Sequence, residues 1–221
     1  MEHASSRATA RGVTWVLVAL VIVAAGYAGR SQGKPDPDTL YRYETAAGGT
    51  VVYLLLLAAI VFMARGPAPR EFLGLRRPTS RRRALGLALA AYVLIMIGTS
   101  ALVYALGAAG EQGVAPEAWR PDRVWPYLVN AIVVAVLGPI VEELLYRGAG
   151  LSIFLRFGAP VAVLVTALPF ALGHGLVRAM PALFLFGIVI AVLRLRTASV
   201  YPPILVHCAF NATSLILAVA I

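Results

Sequence analysis

Charged residues are scarce in this sequence. Asp, Glu, Lys and Arg make up 13% of its 221 residues, whereas soluble domains carry about a quarter. So little charge leaves too little polar surface to cover a globule in water, which excludes an ordinary soluble domain. Hydrophobic residues make up 60% and the mean hydropathy is +0.83, which excludes a disordered chain as well.

Cysteine is nearly absent. Cys208 is the one cysteine of the chain, so no internal disulfide can form and a disulfide scaffold is excluded. The net charge of +9 would suggest nucleic acid as the partner of a soluble protein. Here the arginines lie at the ends of apolar blocks, where they orient helices in a bilayer, and we expect no nucleic-acid partner.

The chain contains a series of apolar blocks, each long enough to cross a bilayer, which takes roughly 20 residues in a helix. The predicted fold class is therefore all-α, a polytopic transmembrane helix bundle forming a single membrane domain over 1–221. About seven spans are predicted, with six or eight left open because the fifth is short. The predicted spans are 13–29, 49–64, 84–107, 125–147, 159–174, 180–195 and 200–220.

The connections between spans differ in charge. The connection between the second and third spans carries seven arginines and one acid, Glu71, and the positive-inside rule places such a loop in the cytoplasm. We expect a multi-pass protein of the plasma membrane with a cytoplasmic N-terminus and, for an odd number of spans, an outer C-terminus. The arginines are Arg65, Arg70, Arg76, Arg77, Arg81, Arg82 and Arg83.

Three polar clusters fall inside the late spans. A charged side chain at a helix centre costs about 2.5–3.5 kcal/mol to insert, so such residues are functional candidates. The clusters are Glu142-Glu143-Leu-Leu-Tyr146-Arg147, Phe170-Ala-Leu-Gly-His174 and His207-Cys-Ala-Phe-Asn211.

Helical geometry separates the two glutamates. Each residue advances about 100° around a helix, so Glu142 and Glu143 point in different directions. Glu143 and Arg147 stand at i and i+4 with the acid first, the favoured order for an ion pair. Glu142 is then free to face the interior of the bundle. Arg147 would alternatively mark a solvated end of the fourth span, and Pro139 is expected to kink the helix before the acidic pair.

Both histidines of the late spans have a partner one helical turn away. Phe170 precedes His174 by four residues, and Asn211 follows His207 by four. Either histidine alone is weak support for a site. Two histidines, an amide and the unpaired carboxylate of Glu142 in a low-dielectric interior have the composition of a site.

The three motifs, in this order on successive late helices, resemble the CAAX prenyl endopeptidase and bacteriocin-processing (CPBP, or Abi) family. The resemblance covers residues 139–211, the predicted catalytic core, and the stretch 74–78 is similar to an early cytoplasmic loop of that family. It implies an intramembrane endopeptidase that hydrolyses a peptide bond. The implied roles are general base for Glu142, water activation for His174, oxyanion stabilisation for His207 and Asn211, and support for Glu143, Arg147 and Phe170.

The resemblance leaves metal dependence open. Members of the family are called metalloproteases, yet the motifs lack the His-Glu-x-x-His spacing that holds zinc on one helix. Glu142, His174 and His207 would supply three ligands for a divalent metal such as zinc, although we favour chemistry without a metal. The expected partners are the lipid bilayer and a peptide or protein substrate at the membrane, with its lipidation left open.

Two other kinds of function stay open at this point. One is a bacteriocin immunity factor or membrane scaffold without catalysis, in which the same residues would tolerate replacement. The other is a proton-coupled transporter, since Glu and His chains also relay protons. Such transporters are often built from inverted repeats, and we find no convincing internal repeat, so this alternative is less favoured.

Reporter fusions test the predicted topology. A fusion after Gly66 should report a cytoplasmic position, because the arginine-rich loop follows it, and a fusion after Ile221 should report the outer side. Fluorescence and phosphatase reporters, which are active on opposite sides of the membrane, distinguish the two. A cytoplasmic signal from the C-terminal fusion would show that the number of spans is even.

Overall fold

A computed structural model describes residues 2–33, 36–111, 116 and 118–220, with side chains from Arg7 onward. The regular elements in these ranges are all helical, which confirms the predicted fold class. The longer helices are joined by short turns such as Thr39–Tyr41 and Ala109–Glu111. We number the helices α1 (Glu2–Ser31), α2 (Tyr43–Ala64), α3 (Pro69–Phe72), α4 (Arg81–Ala105), α5 (Pro121–Phe157), α6 (Ala159–Leu172), α7 (Met180–Thr197) and α8 (Tyr201–Ala220).

Within the described residues, six helices are long and apolar enough to cross a membrane. The exceptions are the four-residue α3 and the 14-residue α6. At 1.5 Å per residue α6 is about 21 Å long, shorter than a hydrocarbon core of about 30 Å. The predicted fifth span is therefore present as a short helix.

Contacts at the two ends of the bundle show that α6 crosses it. At one end, Gly74 before α4 accepts a hydrogen bond from Val200 after α7 (3.0 Å), and Ser152 near the end of α5 donates to the Phe72 carbonyl (2.7 Å). At the other end, Glu111 after α4 holds the segment before α7. The chain thus enters α6 at the first end and leaves it at the second, in agreement with about seven spans.

Glu111 fixes that second end. Its Oε2 accepts hydrogen bonds from the backbone N–H groups of residues 177, 178 and 179, just before α7, and Arg30 lies 3.9 Å from its Oε1. Desolvation opposes the ionised form, yet the three N–H donors and Arg30 hold the pKa of Glu111 below its ordinary value. A charged carboxylate here also complements the positive N-terminal end of α7.

The alternative that Arg147 marks a solvated helix end is wrong. Arg147 is fully buried, and α5 continues ten residues beyond it, to Phe157, so the predicted fourth span ended too early. The glycines that follow Arg147 serve close packing instead. A Cβ on Gly150 would lie 2.6 Å from the Trp15 indole nitrogen, and one on Gly148 would lie 3.0 Å from the Leu73 carbonyl oxygen.

Two π-helical stretches flank the acidic pair of α5. They are Val133–Leu137 and Leu144–Gly150, on either side of the α-helical segment Gly138–Glu143. Pro139, which lacks a backbone N–H, lies two residues after the end of the first of them. The second widens the helix where the Trp15 indole donates to the Leu145 carbonyl oxygen (2.9 Å). Short π segments are frequent at functional sites.

Replacement of Gly150 by alanine should destabilise the protein. The added methyl group would overlap the Trp15 ring in a packed core, and overpacking typically costs about 1–3 kcal/mol. Gly86→Ala in α4 is a matched control because its Cβ would meet no atom within 4 Å. We expect a lower melting temperature in detergent for Gly150→Ala and an unchanged or higher one for Gly86→Ala. Equal melting temperatures would contradict the packing described here.

Candidate active site

The predicted ion pair between Glu143 and Arg147 is present. The Arg147 Nη1 atom lies 3.0 Å from Glu143 Oε1, and both side chains are 0% exposed. Arg147 Nη2 donates to the Gly187 carbonyl oxygen in α7 (3.0 Å), and the guanidinium lies 4.5 Å from the centre of the Phe170 ring in α6. The pair therefore joins α5 to two neighbouring helices.

His207 of α8 shares the same carboxylate. Its Nδ1 lies 2.8 Å from Glu143 Oε1, an interaction that the sequence motifs did not reveal. Because an ionised carboxylate only accepts hydrogen bonds, Nδ1 carries the proton and Nε2 faces away from Glu143. Glu143 thus fixes the orientation of the imidazole. Its other oxygen, Oε2, is buried without a hydrogen-bond partner among the described residues.

Glu142 lies on the opposite side of that imidazole. Its Oε2 is 3.9 Å from His207 Nε2, and its side chain is 20% exposed, in contrast to the fully buried Glu143. The two adjacent glutamates therefore occupy different environments, as helical geometry predicted. One is enclosed by charge partners, and the other is partly exposed.

Tyr53 of α2 is a site residue that the sequence analysis missed. Its hydroxyl donates to Glu142 Oε1 at 3.0 Å. The ring packs so closely on α5 that a Cβ on Gly138 would lie 2.6 Å from the hydroxyl oxygen. A tyrosine in the middle of an apolar span, with a hydroxyl that needs a partner, was the one signal available in the sequence.

His174 reaches the same cluster through Phe170. Its Nδ1 lies 2.8 Å from the Phe170 carbonyl oxygen, which can only accept, so the neutral ring keeps a lone pair on Nε2. The Phe170 ring packs against His174 with centroids 5.0 Å apart and against His207 with centroids 5.8 Å apart. Phe170, expected as an apolar neighbour of one histidine, contacts both.

Asn211 anchors α8 to α5. Its amide nitrogen donates to the Val134 carbonyl oxygen at 2.9 Å, inside the first π-helical stretch. One of the two amide hydrogens is therefore engaged with the backbone. Asn211 and His207 lie on one face of α8, four residues apart, as predicted. The bond to Val134 leaves Asn211 a single amide hydrogen for other acceptors.

The structure assembles no candidate metal centre among the residues that it describes. In the part of the chain that the structure describes, no three His, Cys, Asp or Glu side chains lie close enough together to hold a metal ion. Glu142, His174 and His207, which would be the ligands if a metal were present, do not form such a group in this structure.

Comparisons with known proteins agree with the location of this cluster. The family model described as "Type II CAAX prenyl endopeptidase Rce1-like" matches residues 124–213, the range that contains all three motifs. An "Uncharacterized 24.3 kDa protein" from Escherichia coli is 26% identical over 173 residues, which is 76% of each chain. No solved structure matches the chain.

Removal of the Glu143 charge should destabilise the fold. Glu143→Gln leaves the buried Arg147 without its counter-charge, and breaking a buried pair costs about 3–5 kcal/mol. The double change Glu143→Leu with Arg147→Met leaves no lone charge and should recover part of the melting temperature measured in detergent. Glu143→Gln melting like the unmodified protein would show that the pair does not support the fold.

Proposed function

We propose that the chain is an intramembrane endopeptidase of the CAAX prenyl endopeptidase and bacteriocin-processing family, a proposal supported by the match of the Rce1-like family model to residues 124–213. In the proposed reaction a water molecule activated by Glu142 hydrolyses a peptide bond. The observation that carries the proposal is the 3.9 Å separation of Glu142 Oε2 and His207 Nε2 within the helix bundle.

That separation suits a shared water molecule. It is too long for a direct hydrogen bond, yet one water can bond to both atoms. Tyr53, whose hydroxyl binds the other oxygen of Glu142, keeps the carboxylate aimed at this position. A general base must lie within hydrogen-bond reach of the proton that it removes, and such a water would meet this condition.

Hydrolysis then requires two proton transfers. Glu142 takes a proton from the water as the water oxygen bonds to the carbonyl carbon, and the carbonyl oxygen becomes an oxyanion. When the carbon–nitrogen bond breaks, the protonated Glu142 returns the proton to the leaving amine. His174, whose Nε2 keeps a lone pair when its Nδ1 binds the Phe170 carbonyl, is a second acceptor for the water.

His207 and Asn211 are the proposed donors to the oxyanion. His207 donates from Nε2 when both ring nitrogens carry a proton, with Glu143 accepting from Nδ1. Asn211 contributes the amide hydrogen that Val134 does not accept. The loss of one such donor typically lowers the rate by about 10² to 10³, so each should matter to the reaction.

The proposed substrate is a peptide or protein segment at the membrane, which reaches the site from the lipid or from the arginine-rich end of the bundle. That end carries the connection 65–83, which we propose to be cytoplasmic in a plasma-membrane protein with a cytoplasmic N-terminus.

Replacement of Glu142 tests the proposed reaction. Glu142→Gln removes the base and keeps the shape, so it should abolish cleavage while the protein remains folded. The measurement compares, by mass spectrometry, the peptide termini of membranes that contain the unmodified protein or the variant. Termini produced by cleavage should be present only with the unmodified protein, and the uncut segments should accumulate with Glu142→Gln.

Two further variants make the comparison specific. Tyr53→Phe removes one hydrogen bond to Glu142, worth about 0.5–1.5 kcal/mol, and should slow the same cleavages about 2- to 10-fold. Glu71→Gln, an equivalent change at an exposed carboxylate outside the site, should leave them unchanged. Identical peptide termini with and without Glu142 would instead support a non-catalytic immunity or scaffold role.

A further inference from the structure

A second buried arginine lies outside the proposed active site. Arg194, in the last turn of α7, is 5% exposed, and its Nε is buried without a hydrogen-bond partner. No carboxylate pairs with it among the described residues, whereas Arg147 has Glu143 and the Gly187 carbonyl. A buried charge without a counter-charge is strongly unfavourable. Arg194 therefore lacks the counter-anion that a buried guanidinium needs.

The turn at Gly74 packs directly against the guanidinium of Arg194. Gly74 N–H donates to the Glu71 carbonyl and Leu75 N–H to the Arg70 carbonyl, the pattern of a Schellman motif that ends α3. Gly74 has a φ of +67°, and a Cβ there would lie 2.6 Å from the Cζ of Arg194. Glycine is thus required both by the turn and by the guanidinium packed on it.

A second arginine is held beside the first. Arg76 Nε donates to the Ala198 carbonyl oxygen at 2.6 Å, one residue after the end of α7, and its positive charge acts on that of Arg194. Like charges placed together repel each other. Two guanidinium groups at one turn, with no acid paired to either in the described part of the chain, match the donors that bind phosphate oxygens.

An apolar groove begins next to this turn. It lies between the first turns of α4 and α8 and has a volume of about 330 Å³. Pro78 lies four residues after Gly74, and Tyr201 directly follows Val200, the residue bonded to Gly74. Its lining includes Pro78, Arg81, Ala84, Ala88, Tyr201 and Pro202.

We propose that this end of the bundle binds an anionic phospholipid, with the phosphate at Arg76 and Arg194 and an acyl chain in the groove. A free phosphate ion would satisfy the arginines but not the apolar groove, and an ordinary hydrocarbon chain would fill the groove but not pair the arginines. A phospholipid meets both conditions at the membrane surface. Basic pockets between transmembrane helices bind such headgroups.

Thermal unfolding of the full chain in mixed micelles tests this site. Micelles with phosphatidylglycerol should raise the melting temperature above that in phosphatidylcholine alone, because the phosphate of phosphatidylcholine is neutralised by its own choline group whereas that of phosphatidylglycerol can compensate Arg194. Arg194→Met removes the unpaired charge, so in phosphatidylcholine it should melt no lower than the unmodified protein. Its half-maximal response to phosphatidylglycerol should need on the order of tenfold more lipid, as for loss of a charge-assisted hydrogen bond.

Arg196→Met is the matched control, since Arg196 lies two residues away on the same helix, carries the same charge and is exposed. It should respond to phosphatidylglycerol like the unmodified protein. Arg76→Met changes an exposed residue, and it should weaken the response even if Arg194→Met does not fold. Each variant is measured also with inorganic phosphate, which should raise the melting temperature far less.

Several results would overturn the proposal. An equal lipid response of Arg76→Met, Arg196→Met and the unmodified protein would show that these arginines do not hold the lipid. Loss of the response in Arg196→Met as well would indicate general surface charge. Inorganic phosphate acting as strongly as the lipid would identify a free anion site, and equal melting temperatures in phosphatidylcholine and phosphatidylglycerol would overturn the preference for an anionic headgroup.

Discussion

The shared carboxylate of Glu143 is the interaction on which the arrangement of the late helices depends. One oxygen of this buried group is in contact with Arg147 of the same helix and His207 of α8, and Arg147 continues the connection to the Gly187 carbonyl of α7. Because an unpaired buried charge is costly, α5, α7 and α8 pack favourably only where all these partners meet. The orientation of His207 follows directly from this constraint.

Glu142, the adjacent residue on the same helix, lies in a different environment from Glu143. Rotation by about 100° turns it from the enclosed side of α5 toward Tyr53 and the outer nitrogen of His207. Two identical side chains thus have separate roles, one holding the imidazole and the other facing the space beside it. The π-helical stretches on both sides of the pair are local adjustments that bring Asn211 and Trp15 into bonds with the α5 backbone.

Local features were readable from the sequence, and contacts between distant helices were not. The apolar blocks predicted the bundle, and the i and i+4 spacing predicted the pair of Glu143 and Arg147, since both depend on helical geometry alone. The bonds of Tyr53 to Glu142 and of His207 to Glu143 span 89 and 64 residues, and their existence depends on how the helices pack. The continuation of α5 beyond Gly148 likewise depends on Leu73 and Trp15, which close over its glycines.

The two buried arginines differ in the source of their counter-charge. Arg147 finds its partners within the chain, at Glu143 and at Gly187. Arg194 stands seven residues beyond Gly187 on the same helix, about 10 Å along its axis, where the chain supplies no carboxylate among the described residues. If a lipid phosphate completes this second site, a headgroup lies about two helical turns from the Glu143 cluster. The proposed lipid contact would thereby set the depth of the proposed active site in the bilayer, because α7 carries Arg194 and is bonded to Arg147 through the Gly187 carbonyl.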